Sequence, residues 1–230
     1  MLKPIFENIP SELKARSQWV LWKETPRKDS SGNVKVTKPP YQPNGHPASS
    51  TESGTWVSFD MARASADRFD GVGLVLTEVD PYVALDFDHC RCPALDGVDA
   101  DIAGGLDMVD PVVAGHLKKI NSYTEVSPSG KGVRAFVRGT LPVKGKKKGP
   151  FEAYRSARYV TVTGHVIDGF PKTIEARQAE LDAFCASVFG DEPKSQEAPR
   201  PSGSGNGSWR ELLARAFNAK NGDDVRRLYA

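Results

Sequence analysis

Apolar and polar positions alternate in short segments along much of the chain, a pattern typical of β-strands that are half-buried in a sheet. Segments of this kind, bounded by Gly, Pro, Asn, Asp or Ser, occur at 18–24, 34–41, 71–76, 82–87, 122–126, 133–138, 151–154 and 158–165. Three longer segments space their apolar residues three or four positions apart and predict helices at 55–69, 99–120, with a break at Asp110-Pro111, and 174–189. A shorter helix is expected at 11–16. The expected fold class is α+β.

Two apolar segments, Gly71–Leu76 and Tyr82–Phe87, flank a Glu-Val-Asp-Pro turn and predict a β-hairpin. Asp86 and Asp88 stand one residue apart where the second segment ends, so both carboxylates project from the same face of the strand. Like charges at this range raise each other's pKa unless a cation lies between them. Mg²⁺ or Mn²⁺ suits such oxygen ligands. The alternative is a strand end whose aspartates simply begin a turn.

A turn rich in Ser and Gly, residues 127–132, separates two further predicted strands. Its backbone N–H groups, together with Ser127, Ser129 and Lys131, predict an anion site suited to a triphosphate. Arg134 follows on the second strand and shares a face with Phe136. The alternative is a tight hairpin whose glycines only satisfy the geometry of the turn.

The net charge of +2 conceals a segregation of charge along the chain. Nine acidic residues and one basic residue lie between Glu78 and Asp110, whereas eleven basic and two acidic residues lie between Lys118 and Arg158. An acidic segment that carries the aspartate pair, followed by a basic segment, fits a site that holds cations and polyphosphate together.

Residues 141–150 contain four lysines between glycines and predict a mobile basic loop that contacts nucleic-acid phosphates without reading sequence: Lys144, Lys146, Lys147 and Lys148. The turn at 29–33 predicts a hairpin between the segments 18–24 and 34–41. Lys38 stands beside a Pro-Pro-Tyr segment at the end of this hairpin, where it presents a further basic charge. The alternative for such lysines is a solvated edge strand or surface.

Several protein classes are excluded by the sequence. No apolar segment approaches the roughly 20 residues that cross a bilayer, and the N-terminus lacks the apolar core of a signal peptide, so we expect a cytoplasmic protein. An odd number of cysteines, three, argues against a secreted disulfide framework. A zinc site at His89-Cys90-Arg91-Cys92 is disfavoured because a second pair of ligands is missing at suitable spacing.

The composition predicts three parts of the chain. Residues 1–189 form one domain, and residues 190–208, rich in Pro, Gly, Ser and charge, form a flexible linker. Ser208-Trp-Arg-Glu211 matches a helix capping box, and an amphipathic pattern follows it. Residues 209–230 are therefore predicted to be the start of a helical C-terminal module.

Three motifs in order, the Asp86/Asp88 pair, the 127–134 turn and strand, and the Phe151-Glu152 step, resemble the archaeo-eukaryotic primase superfamily. The resemblance is greatest to its bifunctional primase-polymerase branch from phages and plasmids, and covers about residues 15 to 190. It implies an RRM-like mixed β-sheet packed with an N-terminal α/β unit, with the active site in the cleft between them. It also implies a protein encoded by a phage or a mobile element.

The resemblance implies that Asp86, Asp88 and Glu152 hold two Mg²⁺ or Mn²⁺ ions. It also implies a set of nucleotide-binding residues: Ser127, Ser129, Lys131, Arg134, Arg158 and His165. Family members place a phosphate-binding histidine where this chain has Arg134. Arginine keeps its charge and grips phosphate with two N–H groups, but it does not exchange protons near neutral pH. Any proton-transfer role would therefore fall to Lys131 or His165.

The implied function is template-directed transfer of nucleotides from dNTPs or NTPs, as a DNA primase and DNA polymerase. Expected partners are a single-stranded DNA template, a primer and a C-terminal helical or helicase module. Two alternatives remain from the sequence alone: a non-catalytic nucleic-acid or nucleotide-binding module of a replication initiator, and a nuclease that uses the same carboxylates.

Overall fold

Two antiparallel β-sheets form the frame of the computed structural model, which describes residues 1–28, 30–91 and 105–190. The strands are β1 (Trp19–Trp22), β2 (Thr25–Lys28), β3 (Val34–Thr37), β4 (Pro40–Tyr41), β5 (Gly71–Leu76), β6 (Tyr82–Phe87), β7 (Thr124–Val126), β8 (Val133–Arg138), β9 (Gly145–Lys148), β10 (Phe151–Tyr154) and β11 (Arg158–Val162). The helices are α1 (Ser11–Lys14), α2 (Phe59–Ser65), α3 (Pro111–Ile120) and α4 (Gln178–Phe189). The predicted α+β class is confirmed.

The first sheet has the strand order β11-β5-β1-β4, and the second has the order β7-β8-β6-β10-β9. Within the described residues, strands β2 and β3 pair only with each other, as a separate two-stranded ribbon. The pairs between the strands named above are antiparallel. The strand that ends in the aspartate pair, β6, is therefore the central strand of the second sheet.

The predicted hairpin between β5 and β6 is wrong, because these consecutive strands belong to different sheets. Both edges of β5 are occupied by β1 and β11, and both edges of β6 by β8 and β10. The corner between them is held by Asp80, whose Oδ2 accepts hydrogen bonds from Thr77 N (2.9 Å) and Gln18 Nε2 (2.7 Å). The connection thus carries the chain from one sheet to the other.

Alternating side chains of β6 enter two hydrophobic cores. Val83, Leu85 and Phe87 pack with residues of α3 and α4 on one face of the second sheet. Tyr82 and Ala84 face the first sheet instead, in a core that includes Trp19, Leu74 and Phe136. Since side chains alternate, Asp86 continues the face of Tyr82 and Ala84 and points toward the first sheet.

The helices are shorter than the periodicity predicts, and in α2 and α3 a capping residue fixes where the helix begins. Ser58 caps α2 by accepting a hydrogen bond from Met61 N (3.4 Å), so the helix begins at Phe59 instead of Thr55. Asp110 accepts from Val112 N (2.9 Å), and Asp110-Pro111 is the start of α3 and not an interruption. Helix α4 begins at Gln178, four residues after Ile174.

The predicted mobile loop at 141–150 is also wrong in part, because residues Gly145–Lys148 form the edge strand β9. This strand pairs with β10 through a turn at Gly149, whose φ of +59° suits glycine. The lysines are consequently held in register beside β10.

Residues 92–104 and 191–230 lie outside the described part of the chain. They include Cys92, the acidic residues 96–101, nearly all of the predicted linker and the whole predicted helical module, so the domain boundaries stay predictions. Within the described ranges, the helices are all too short or too polar to cross a membrane.

Candidate active site

A row of five charged side chains crosses the second sheet, one from each strand. Directly opposed positions place Lys147 beside Glu152, Glu152 beside Asp86, Asp86 beside Arg134, and Arg134 beside Glu125. Opposed residues in antiparallel strands share a face. The face of the second sheet that points toward the first sheet therefore carries two adjacent carboxylates, Glu152 and Asp86, with a positively charged residue on each side of the pair.

Asp86 and Asp88 emerge from the same face at the end of β6, as the alternation predicts. Asp86 accepts a hydrogen bond from Arg134 Nη2 at 2.7 Å. Asp88 is exposed, and its backbone N–H donates to Pro150 O (2.9 Å). Although this side chain reaches solvent, the protein around it removes part of its hydration. This desolvation, and after it the negative charges of Asp86 and Glu152, raise the pKa of the Asp88 carboxyl. The site thus concentrates negative charge that a cation would relieve.

Arg134 is buried between the two sheets, where it joins them. Its Nη2 binds Asp86 on β6, while its Nη1 donates to the carbonyl oxygen and the hydroxyl of Thr161 on β11. Burial alone would lower the pKa of this guanidinium, but the charges of Asp86 and Glu125 raise it above its ordinary value. Arg134 therefore stays charged and fixes Asp86 against the opposite sheet.

Glu152 is buried, and both of its carboxylate oxygens accept hydrogen bonds. Lys147 Nζ donates to Oε1, and Tyr154 Oη donates to Oε2 at 2.5 Å. Arg158 Nη2 lies 3.9 Å from the same Oε2, with its guanidinium stacked over the Tyr154 ring. Burial alone would raise the pKa of Glu152, but these hydrogen bonds and positive charges lower it.

A cavity of about 570 Å³ lies between the sheets at this row of charges. It brings together seven of the residues that the sequence singles out: Lys38, Asp86, Asp88, Ser127, Ser129, Arg134 and Arg158. Its volume is in the range of pockets that bind small ligands and cofactors. The predicted metal-binding pair, the serine turn and three basic residues therefore share one space.

The serine turn is more closed than the sequence suggests. The N–H groups of Ser127, Gly130, Lys131 and Gly132 all donate to acceptors within the turn. The predicted nest of free N–H groups is thus not what the structure shows at these four positions. The hydroxyls of Ser127 and Ser129, 3.2 Å apart, are the polar groups that the turn brings to the cavity.

Other predicted nucleotide- and DNA-binding residues lie outside this cavity. Lys131 is exposed on the turn, and His165 is buried with its Nε2 hydrogen-bonded to Lys3 O at 2.8 Å. A second cavity of about 310 Å³ is lined by Lys144, Lys146 and Lys147, and shares Tyr154, Ala157 and Arg158 with the first. Lys148 is exposed on the edge strand and lines neither cavity.

Three residues of the site have no role in the sequence-based interpretation. Glu125 is fully buried and accepts hydrogen bonds from Tyr123 Oη (2.7 Å) and Gly164 N (2.8 Å), and burial raises its pKa. Tyr159 and Thr161 line the cavity from β11, and Tyr159 Oη donates to Lys38 O. The alternation of β11 places Tyr159 and Thr161 on one face, but only the packing of the sheets shows what that face meets.

The donor set suits a hard divalent cation. Asp86 and Asp88 supply carboxylate oxygens beside a cavity, and such ions are usually held by one or two carboxylates and completed by substrate phosphates. Across residues 1–28, 30–91 and 105–190, however, His, Cys, Asp and Glu side chains nowhere form a group of three that would enclose a metal. Asp86 and Asp88 therefore suit a metal ion that is also coordinated by phosphate oxygens of a substrate. Glu152 could coordinate the same ion only if it gave up its hydrogen bonds to Lys147 and Tyr154.

Cys90 does not support the zinc alternative. Its Sγ donates to Phe87 O (3.2 Å), and burial raises its pKa to about 11. Zinc binds the thiolate, which this environment disfavours.

Comparisons with known proteins bear on the family that this chain resembles. No family model matches the chain. A curated DNA primase-polymerase from Nitratiruptor phage NrS-1 is 40% identical to it in an alignment of 169 residues that covers 68% of this chain and 20% of the phage protein. The chain thus spans about a fifth of the length of that relative. The predicted resemblance to phage-type primase-polymerases is confirmed for the matched part.

Proposed function

We propose that the cavity between the two sheets carries out metal-dependent, template-directed transfer of nucleotides from nucleoside triphosphates to a DNA or primer 3′-hydroxyl. The chain would act as a DNA primase and polymerase in replication of the phage or plasmid type. The observation that carries the proposal is the Asp86/Asp88 pair facing one cavity with Arg158, Lys38 and the serine turn. The 40% identity to a phage DNA primase-polymerase supports it.

Each of the seven cavity residues that the sequence singles out has a role in this proposal. Asp86 and Asp88, with Glu152 as the third carboxylate, would hold Mg²⁺ or Mn²⁺, which would supply a lowered pKa for the attacking hydroxyl and positive charge beside the departing pyrophosphate. Arg158, Lys38 and the hydroxyls of Ser127 and Ser129 contact the triphosphate. Arg134 keeps Asp86 oriented while remaining charged.

Lysines of β9, together with Lys144 just before this strand, extend the basic surface beyond the cavity. Lys144, Lys146 and Lys147 line the adjoining cavity, which shares Arg158 with the first. Contacts from lysine to phosphate do not depend on base sequence. We assign this surface to the backbone of the template or primer strand. A C-terminal helical or helicase module stays a predicted partner.

The fold assignment that accompanies this function is also an inference. We take the five-stranded sheet, with the aspartates on its central strand and Glu152 on the next one, as the RRM-like sheet implied by the resemblance. The first sheet with α1 and α2 corresponds to the N-terminal unit. A crystal soaked with a nucleoside triphosphate and Mn²⁺ tests both points, because density for both ligands is expected between the sheets at Asp86 and Asp88.

A primer-extension assay on a single-stranded DNA template tests the activity. The wild-type chain should add nucleotides with Mg²⁺ or Mn²⁺. The variant Asp86→Asn/Asp88→Asn should extend the primer at least about a hundredfold more slowly, which is the usual loss when a group that stabilises charge in the transition state is removed. Asp67→Asn is the matched control, since this exposed aspartate lies in a helical turn away from the cavity.

Three results would contradict the proposal. DNA binding without any nucleotide addition would favour a non-catalytic binding module. Metal-dependent shortening of labelled DNA without added nucleotide would favour a nuclease. Equal extension by the wild type and the Asp86/Asp88 variant would show that these carboxylates are not catalytic.

A further inference from the structure

The ribbon formed by β2 and β3 belongs to neither of the two larger sheets. Its register places Arg27 directly opposite Lys35 and Thr25 opposite Thr37, so these four side chains share one face. Pro26, Lys28, Val34 and Val36 occupy the other face. The ribbon is thus amphipathic, with a basic face that we define by Arg27 and Lys35.

Repulsion between the opposed positive charges of Arg27 and Lys35 destabilises the ribbon in the free protein. Like charges directly opposite each other destabilise a strand pair, and an isolated two-stranded ribbon is at best marginally stable in water. Among the described residues, no carboxylate forms an ion pair with Arg27 or Lys35. An anion bound between the two side chains would turn their repulsion into attraction.

The basic face is continuous with the wall of the candidate active site. Thr37 shares the face of Lys35, and both Thr37 and the following Lys38 line the cavity. The base of the ribbon is closed by a hydrogen bond from Thr37 Oγ1 to Thr25 O (3.0 Å) and is tied to β11 by Tyr159 Oη, which donates to Lys38 O. The ribbon therefore extends from the edge of the cavity, and its basic face adds the positive charges of Arg27 and Lys35 beyond that edge.

We propose that the Arg27/Lys35 face binds the sugar-phosphate backbone of a DNA strand that passes through the candidate active site. The inference rests on the proposed function, since it takes the strand at that site to be the occupant. Two cations on adjacent strands suit successive phosphates of one strand better than a single nucleotide, whose phosphates the cavity itself would hold. Binding is independent of base sequence, because the face offers charges and no group that reads base edges.

The test measures DNA binding alone. Fluorescence anisotropy follows a labelled single-stranded oligonucleotide in EDTA without nucleotide, over a series of salt concentrations. Arg27→Ala/Lys35→Ala should bind more weakly than wild type at low salt, and the slope of log K against log salt should become shallower by about 1.4, which is about 0.7 for each phosphate of a single strand that the protein no longer neutralises. Lys118→Ala/Lys119→Ala removes the same charge from the exposed end of α3 and is the matched control.

Two comparisons decide the result. If Arg27→Ala/Lys35→Ala and the α3 control have the same affinity and slope, the proposal is wrong. The charge-preserving variant Arg27→Lys/Lys35→Arg should keep the wild-type slope, and its loss would also overturn the proposal. Failure of the proposed function looks different: the wild type would bind DNA with the expected slope and add no nucleotide.

Discussion

Asp86 and Arg134 stand directly opposite each other on neighbouring strands, with Oδ2 and Nη2 2.7 Å apart. The same guanidinium reaches Thr161 on the other sheet. One arginine thus orients a candidate metal ligand and spans the gap in which the cavity lies. A histidine at this position has a shorter side chain and two ring nitrogens, so it offers fewer donors for both tasks.

Arg134→Gln should destabilise the protein strongly. The substitution leaves Glu125 buried without its neighbouring positive charge and breaks the hydrogen bond to Asp86, and breaking such a pair costs about 3 kcal/mol. Urea denaturation measures the free energy of unfolding. Arg134→Lys keeps the charge with fewer donors and should lose less. Equal stability of Arg134→Gln and wild type would contradict the bridging role.

Lys147→Met should raise the pKa of Glu152. Burial would then act on a carboxylate that has lost its lysine hydrogen bond and charge. A lowered folded-state pKa stabilises the protein above the carboxyl's unfolded pKa, and this contribution disappears as the pH falls through the folded-state pKa. The difference in unfolding free energy between wild type and Lys147→Met should therefore shrink on acidification.

The comparison of Lys147→Met with wild type is made in EDTA, with the Glu152 pKa followed by NMR. Lys148→Met is the control, because Lys148 lies opposite Phe151 and not opposite Glu152. An unchanged Glu152 pKa in Lys147→Met would show that the ion pair is not formed in solution.

Gly132→Ala should displace the serine turn from the aspartate strand. A Cβ at this position would lie 2.7 Å from Phe87 O and 3.1 Å from Ser127 Oγ, so backbone must move. We expect a loss of about 2 kcal/mol in stability, as in other overpacked sites, together with weaker nucleotide binding. Calorimetry of nucleotide binding and thermal unfolding measure the two effects.

Gly115→Ala is the control for Gly132→Ala, because its Cβ would enter open space within α3. Alanine is the better helix former, so this variant should gain up to about 1 kcal/mol. Similar effects of both substitutions would rule out close packing as the reason for glycine at position 132.

Mn²⁺ should stabilise the wild-type protein against thermal unfolding through Asp86 and Asp88. A ligand that binds only the folded state raises the unfolding temperature by an amount that grows with its affinity and concentration. Asp86→Asn/Asp88→Asn should abolish the shift, and Glu152→Gln should reduce it. Asp67→Asn again serves as the control. A shift that persists in the double variant would place the ion elsewhere.

Much of the site could be predicted because strand alternation is a local property. The shared face of Asp86 and Asp88, that of Glu152 and Tyr154, and that of Arg134 and Phe136 all follow from the two-residue repeat of a strand. The α+β class likewise follows from the lengths and periods of the apolar segments. The order of the motifs was enough for the resemblance to phage primase-polymerases, which the comparison confirms.

Strand partners could not be predicted in this way, because pairing depends on which edges remain free in the assembled sheets. Strands β5 and β6, which the sequence predicts as a hairpin, belong to two different sheets. Part of the lysine-rich segment predicted as a loop forms the edge strand β9. Glu125 was not predicted as a site residue, because its position opposite Arg134 depends on the register between β7 and β8.

The sequence by itself determined which residues carry charge, which strand faces they occupy and which family they resemble. Only the tertiary structure decided that Lys147, Glu152, Asp86, Arg134 and Glu125 form one row and that Arg134 crosses to Thr161. The physical reason is that alternation is set within each strand, whereas the neighbours of a charge depend on register and on the packing of one sheet against another.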